Sequence, residues 1–420
     1  MPLMNDGLKK SNFLNYSILI PYLLLSAIGL VMVFSTTYYA QLALGGNPYK
    51  QVINQTAFML LSFVVIAIIY RMKLRAIKNR RMISLVLVFL VVSLLACRFA
   101  PGALFAPVNG ARGWIHIPGI GTIQPAEIAK FFVVWYLGSI FSEKQDKIAE
   151  RDFDEVFKGK TLGQKFFSGW RLPLWIMIIL DYMMPDLGNA VILILLIFVM
   201  VGASGISWQW FKGYGIIGTV ASILILGSMV ISGGALANLI PMAHVRSRFI
   251  AFVNPFADQQ VLASVGHQMA NSYYAIANGG WTGRGLGNSV EKMGYLPEAT
   301  TDFIFPVVVE ELGIIGAIII LGILFFLIAR ILQVGIKAKN SFNSLMSIGI
   351  ASLLLIQIFI NLGGAIGIIP ETGVTFPFIS QGGSSFLILS IGIAFVLNIS
   401  ADEKRREITE LTTEYRVFRG

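Results

Sequence analysis

The 420-residue chain has one cysteine and three histidines, and only 13% of its residues are charged. With Cys97 alone, no intramolecular disulfide and no cysteine metal cluster can form. His116, His244 and His267 show no ligand spacing. The scarcity of charge, set against 56% hydrophobic residues and a mean hydropathy of +0.75, excludes an ordinary soluble domain. No internal repeat or low-complexity stretch stands out, so an inverted-repeat transporter gains no support.

Uncharged apolar runs take up the chain instead, among them Ser84–Leu95, Ala190–Ala203 and Ile314–Ile328. A spanning helix needs about 20 mostly apolar residues to cross a hydrocarbon layer roughly 30 Å thick. Segments of this kind predict an all-α integral membrane protein with about ten transmembrane helices. They fall at roughly 15–36, 52–70, 82–99, 126–142, 172–184, 188–203, 211–231, 304–329, 345–369 and 381–399. The fifth is short and runs into Asp181, Pro185 and Asp186. The run from Tyr16 to Phe34, after Lys9 and Lys10, is too long for a cleaved signal peptide and reads as a retained first helix.

An even helix count puts both termini on one side. If that side is cytoplasmic, inner segments hold 24 of the 32 lysines and arginines, with six between Arg71 and Arg81, seven between Lys144 and Arg171 and five in the tail at 400–420. Such asymmetry is what the positive-inside rule demands. The net charge of +10 then reports orientation and attraction to anionic lipid, with no need for nucleic acid. The other eight are Lys50, Arg98, Arg112, Lys130, Arg246, Arg248, Arg284 and Lys292. Residues 232–303 are too many for a plain connector and predict a large extracytoplasmic loop before the eighth helix. Within it, Pro255 and Asp258 look like a helix start. Val261, Val265, Met269 and Ile276 then mark one apolar face as far as Gly279 and Gly280, as in an amphipathic helix lying in the membrane interface.

Side chains able to do chemistry gather at the predicted outer helix ends. Arg112 lies in the stretch 109–114. Glu127 and Lys130, three apart, share a helix face; they are either an anchoring ion pair or a functional one. Asp186, with Asn189, either caps the sixth helix or faces a shielded cavity. Asp302 follows Glu298, Thr300 and Thr301 at the start of the eighth helix, with Arg284 and Lys292 nearby in sequence. It is either part of a helix start capped by Thr300 or Thr301 or a carboxylate that takes a proton from an attacking hydroxyl. The second role requires a desolvating site, because an ordinary aspartate is a weak base.

Glycines 279, 280, 283, 285 and 287 follow no strand, which argues against a nucleotide loop. They suit a segment that closely approaches a lipid headgroup or another backbone. The polar stretch 373–385, with Gln381, Ser384 and Ser385, either binds a headgroup or satisfies itself at a helix start. His267 and Ser264, three apart, make no catalytic triad.

Taken together, residues 109–114, 124–130, 185–189, 279–311 and 361–385 resemble the SEDS family (shape, elongation, division and sporulation proteins), which are polytopic peptidoglycan polymerases. The matches run in order along most of the chain. Residues 285–289, 295–299 and 373–377 look closer to the division-type FtsW branch than to the elongation-type RodA branch. One departure stands out: Thr300-Thr301-Asp302 occupies the place of a frequent His-Thr-Asp, keeping the aspartate.

The resemblance implies a peptidoglycan glycosyltransferase of the bacterial cytoplasmic membrane, acting at the division septum. Its substrate would be lipid II, the undecaprenyl-pyrophosphate-linked disaccharide peptide, polymerised at the outer membrane face. Its partners would be a class B penicillin-binding protein and other divisome membrane proteins. Asp302 would be the catalytic base, deprotonating the acceptor 4-hydroxyl that attacks the donor anomeric carbon with inversion. Arg112 and Lys130, then Arg246 and Arg248, are the cations expected to meet the diphosphate leaving group. Glu127, Asp186, Asn189, Glu298, Gln381, Ser384 and Ser385 complete the expected substrate-binding set. A divalent cation, magnesium or manganese, could assist, although no carboxylate cluster demands one. A lipid II flippase and a non-catalytic scaffold for the transpeptidase are the rival readings.

Overall fold

The computed structural model describes residues 10–43, 45–106, 112–117, 121–156, 158, 161, 164, 169–184, 186–240, 243–257, 259–263 and 266–419. Lys9, residues 109–111, Pro185, Asp258, Ser264 and Val265 lie outside them. Every segment singled out by hydropathy is a helix: α1 Tyr16–Ala43, α2 Lys50–Arg71, α3 Arg80–Phe99, α4 Pro125–Arg151, α5 Leu172–Met183, α6 Leu187–Ala203, α7 Trp208–Ile231, α8 Ile304–Lys337, α9 Ser341–Ala365 and α10 Gly383–Arg419. Among the described residues, seven of these (α1, α2, α3, α7, α8, α9 and α10) are long and apolar enough to cross a membrane, and α6 is a shorter apolar helix. The chain is a multi-pass membrane protein.

Three expectations are corrected. The helix expected over 345–369 ends at Ala365. Gly367 adopts φ 74°, and the N–H groups of Ile366, Gly367 and Ile368 fold back onto carbonyls of 362–364, so the apolar sequence outlasts the helix. The helix expected over 381–399 begins at Gly383 and continues to Arg419, through the expected tail. There Glu403 accepts from Asn343 Nδ2 at 2.5 Å and from the Lys339 N–H at 3.0 Å.

The single interfacial helix expected after Pro255 is broken into Gln259–Leu262 and His267–Gly279. The longer piece packs on α8 and buries Met269, Ala270 and Ala275. Its Ser272 hydroxyl donates to the Ala365 carbonyl at 2.7 Å. Met269 and Ile276, on the apolar face read as a lipid contact, therefore pack into the bundle.

The core runs through α4, α6, α8, α9 and α10, with Phe131 and Trp135 of α4 set edge-on to Phe395 of α10 at 5.0 and 5.8 Å. Inside α8 the helix breaks at Gly313, φ 72° and ψ 177°. Hydrogen bonds lost by the break are restored from the glycine-rich segment. The Glu310 and Glu311 carbonyls accept from the Arg284 and Gly285 N–H groups at 2.9 Å, and the Ile314 N–H donates to the Gly280 carbonyl at 2.9 Å. A Cβ on Gly279 or Gly283 would strike the carbonyls of Val309 or Glu311. These glycines are thus needed for close approach to another backbone.

Under this splice lies a buried charge. The Lys292 ammonium donates to Glu311 at 2.5 Å and to the Ser35 hydroxyl at 2.8 Å, and neither charged side chain is exposed. This joins the 280–293 segment to α1 and α8 at once.

Candidate active site

A cavity of about 920 Å³ opens where α4, α6, α8 and α10 begin. Helix starts carry free N–H groups and the positive end of the helix dipole, so four of them around one cavity favour an anion. The short antiparallel hairpin of β1 Ile115–Ile117 and β2 Gly121–Ile123 brings Trp114 and Thr122 to the wall.

Asp302 lines the cavity, two residues before α8. The N-cap position is Phe303, with no side-chain cap, and the Thr301 hydroxyl donates instead to the Glu298 carboxylate at 2.8 Å. The capping role considered for Thr300 and Thr301 is therefore not realised. Three successive carbonyls around Asp302 are tied to α9 and to the residues just before α10. Thr300 accepts from the Gln381 N–H at 2.8 Å, Thr301 from the Ser380 hydroxyl at 2.5 Å and Asp302 from Asn361 Nδ2 at 2.8 Å. Asn361 also donates to the Val374 carbonyl at 2.7 Å. Glu298 itself sits at φ 54°, a conformation that costs about 1–3 kcal/mol in a non-glycine residue and concentrates at functional sites.

Burial pushes the Asp302 carboxyl well above the usual carboxylate range; Glu371 and Glu298 add to the rise, and Arg248 opposes it. Burial raises Glu371 too, against the pull of Arg248 and of the Gly373 N–H. Arg248 Nε meets Glu371 at 3.0 Å, and both line the cavity. On another wall, Asp186 does what both sequence readings asked. It caps α6 by accepting from the Asn189 N–H at 3.2 Å, and it lines the cavity. Gln124 Nε2 and Asn189 Nδ2 each donate to it at 2.7 Å.

Of the expected residues, Glu127, Asp186, Arg248, Glu298, Asp302, Gln381, Ser384 and Ser385 line the cavity. Four others do not. Lys130 is buried behind Glu127, its ammonium 2.8 Å from that carboxylate. Arg112 is exposed, one residue outside the lining at Gly113. Arg246 is half-buried outside it, and Asn189 is buried behind Asp186. Among the described lining residues Arg248 alone carries a lysine or arginine charge.

Glu371, Gln124 and His267 line the cavity without having been singled out for it. Glu371 had a signal: it is the only acid between two apolar helices. Among the described residues no group of three or more histidines, cysteines or carboxylates is placed to hold a metal ion. The described side chains by themselves therefore offer no site for a divalent cation.

A family profile described as "Cell cycle protein", covering FtsW, RodA and SpoVE, matches residues 15–405. The chain is 65% identical over 412 residues to a Lactococcus lactis protein named probable peptidoglycan glycosyltransferase FtsW, covering 97% of each. Proteins of that name from Enterococcus hirae and Bacillus subtilis are 36% and 34% identical, over 96% and 94% of this chain and 96% and 92% of theirs. The fold is shared with Thermus thermophilus RodA, at TM-score 0.59 and 21% identity over 93% of this chain and 97% of that one. It is shared also with a chain of a peptidoglycan synthase complex that coordinates polymerization and crosslinking, at TM-score 0.65 and 21% identity over 93% and 98%. The chain belongs to the FtsW/RodA/SpoVE family.

Proposed function

We propose that the chain is a peptidoglycan glycosyltransferase that polymerises lipid II into glycan strands. The observation that carries this reading is Asp302: a half-buried carboxylate on a cavity wall, fixed through its own main chain and its neighbours'. The acceptor 4-hydroxyl gives its proton to Asp302 while its oxygen forms the new bond to the donor anomeric carbon. The bond from that carbon to the diphosphate breaks with inversion, and the lipid diphosphate leaves with the electron pair. Arg248 and the converging helix N-termini lie where that charge develops. Its raised affinity for a proton brings Asp302 closer to the neutral range, where a general base is most effective.

Work in cell division beside a class B penicillin-binding protein fits the relatives' names and the synthase complex that shares the fold. The distribution of lysine and arginine supports an outward cavity and cytoplasmic termini. Purified chain, with its transpeptidase partner and labelled lipid II, is expected to give long strands on a gel. A flippase or a scaffold gives none, and a blank lane with folded protein would reject polymerisation.

The pH profile carries a sign. Asp302 must be ionised to accept a proton, so kcat/KM rises with pH through its elevated titration. Glu371→Gln removes the neighbouring negative charge and frees Arg248, both of which favour ionised Asp302. The acid limb is expected to move to lower pH. Arg248→Met should move it to higher pH. Rate–pH profiles of the two variants check this; shifts in the same direction would contradict it.

A further inference from the structure

His267 is the imidazole of the cavity wall, and its surroundings fix which nitrogen carries the proton. Asn271, one turn further along the same helix, donates through Nδ2 to the Tyr295 carbonyl at 2.5 Å. That bond sets the orientation of the amide, since a carbonyl takes a hydrogen bond only from its nitrogen. The same Nδ2 lies 3.1 Å from His267 Nε2. An amide nitrogen only donates, so Nε2 offers its lone pair and the neutral ring keeps its proton on Nδ1. Among the described residues Nδ1 has no hydrogen-bond partner. The ring is half-buried, and its remaining polar edge is an uncharged donor on a wall that also carries carboxylates, one guanidinium and neutral amides and hydroxyls.

We propose that His267 is a substrate-binding residue whose Nδ1–H donates to an uncharged oxygen, a hydroxyl or an acetamido carbonyl, on the amino-sugar headgroup. The inference rests on the glycosyltransferase reading. Charge separates the two ends of the substrate. The diphosphate is served by Arg248 and the helix N-termini, where charge-assisted bonds are the stronger ones. A single neutral donor suits a neutral acceptor.

Three substitutions separate binding from bracing. An asparagine side chain sets its nitrogen near the position of histidine Nδ1, and a glutamine sets its amide near Nε2. In the full chain with its transpeptidase partner, His267→Ala and His267→Gln are expected to raise KM for labelled lipid II about tenfold, far more than they lower kcat. His267→Asn should recover most of that KM. If His267 only braces Asn271 and the Tyr295 carbonyl, the order reverses: glutamine keeps an acceptor for Asn271 and asparagine does not. Either the reversed order or an unchanged KM in all three overturns the proposal. Undecaprenyl diphosphate, which lacks the sugars, should compete equally well against wild type and His267→Ala; a weaker competition against the variant would reject the sugar assignment. Should wild type itself form no glycan, the glycosyltransferase reading fails. Direct binding of labelled lipid II to the same substitutions in an Asp302→Asn background then still tests His267.

Discussion

Asp302→Asn is expected to lower glycan synthesis by about 10²–10⁴-fold, the usual contribution of a general base. The substitution keeps the size and shape of the side chain but removes its capacity to take a proton. It leaves the scaffold intact, because the hydrogen bonds that hold this segment use the carbonyls of Thr300, Thr301 and Asp302, which the variant retains. Melting temperature in detergent and co-purification of the transpeptidase should therefore match wild type while strand synthesis is lost. Asp302→Glu tests position separately: one added methylene displaces the carboxylate, and misplacement of about 1 Å can cost on the order of 10²-fold. Strand synthesis that persists in Asp302→Asn would remove the base from this residue.

Lys292→Met is expected to produce the largest loss of stability. The ammonium and the Glu311 carboxylate are both without solvent exposure, and Ser35 serves both. Removing the lysine strands a buried carboxylate, at a cost of about 3–5 kcal/mol. Thermal unfolding in detergent should fall sharply, and membrane yield with it. Pairing Lys292→Met with Glu311→Leu removes both charges and should return much of the loss, since a buried ion pair replaced by apolar groups is often nearly neutral. A single variant as stable as wild type would mean that Glu311 finds another partner.

Much of the fold was legible because hydropathy is local. Apolar length alone located α1, α2, α3 and α8. What composition could not carry was where a helix stops inside an apolar run: Ile366, Ile368 and Ile369 look like more of α9, and the positive φ of Gly367 ends it. The break at Gly313 was hidden for the same reason. Its hydrogen bonds are satisfied by residues about thirty positions earlier, Gly280 to Gly285, and the glycine spacing there hinted at contact without naming the partner.

The site divides similarly. Glu127 and Lys130 share a helix face by spacing, and their ion pair follows, but spacing does not say that the pair turns inward and takes Lys130 off the wall. Asp302 was visible as an ionisable group at a helix start. Glu371 stood out only as the lone acid between two apolar helices, and the cavity role of Glu371 and His267 emerged once segments distant in sequence closed around one space.

The way Asp302 is anchored bears on the Thr300 departure from the usual His-Thr-Asp. At 300 and 301 the grip falls on peptide oxygens, which every amino acid supplies alike. Evolution is then at liberty to exchange the residue at 300 without moving the aspartate. A threonine there costs the chain no alignment, and an exchange at 300 acts instead on the cavity wall that this residue lines.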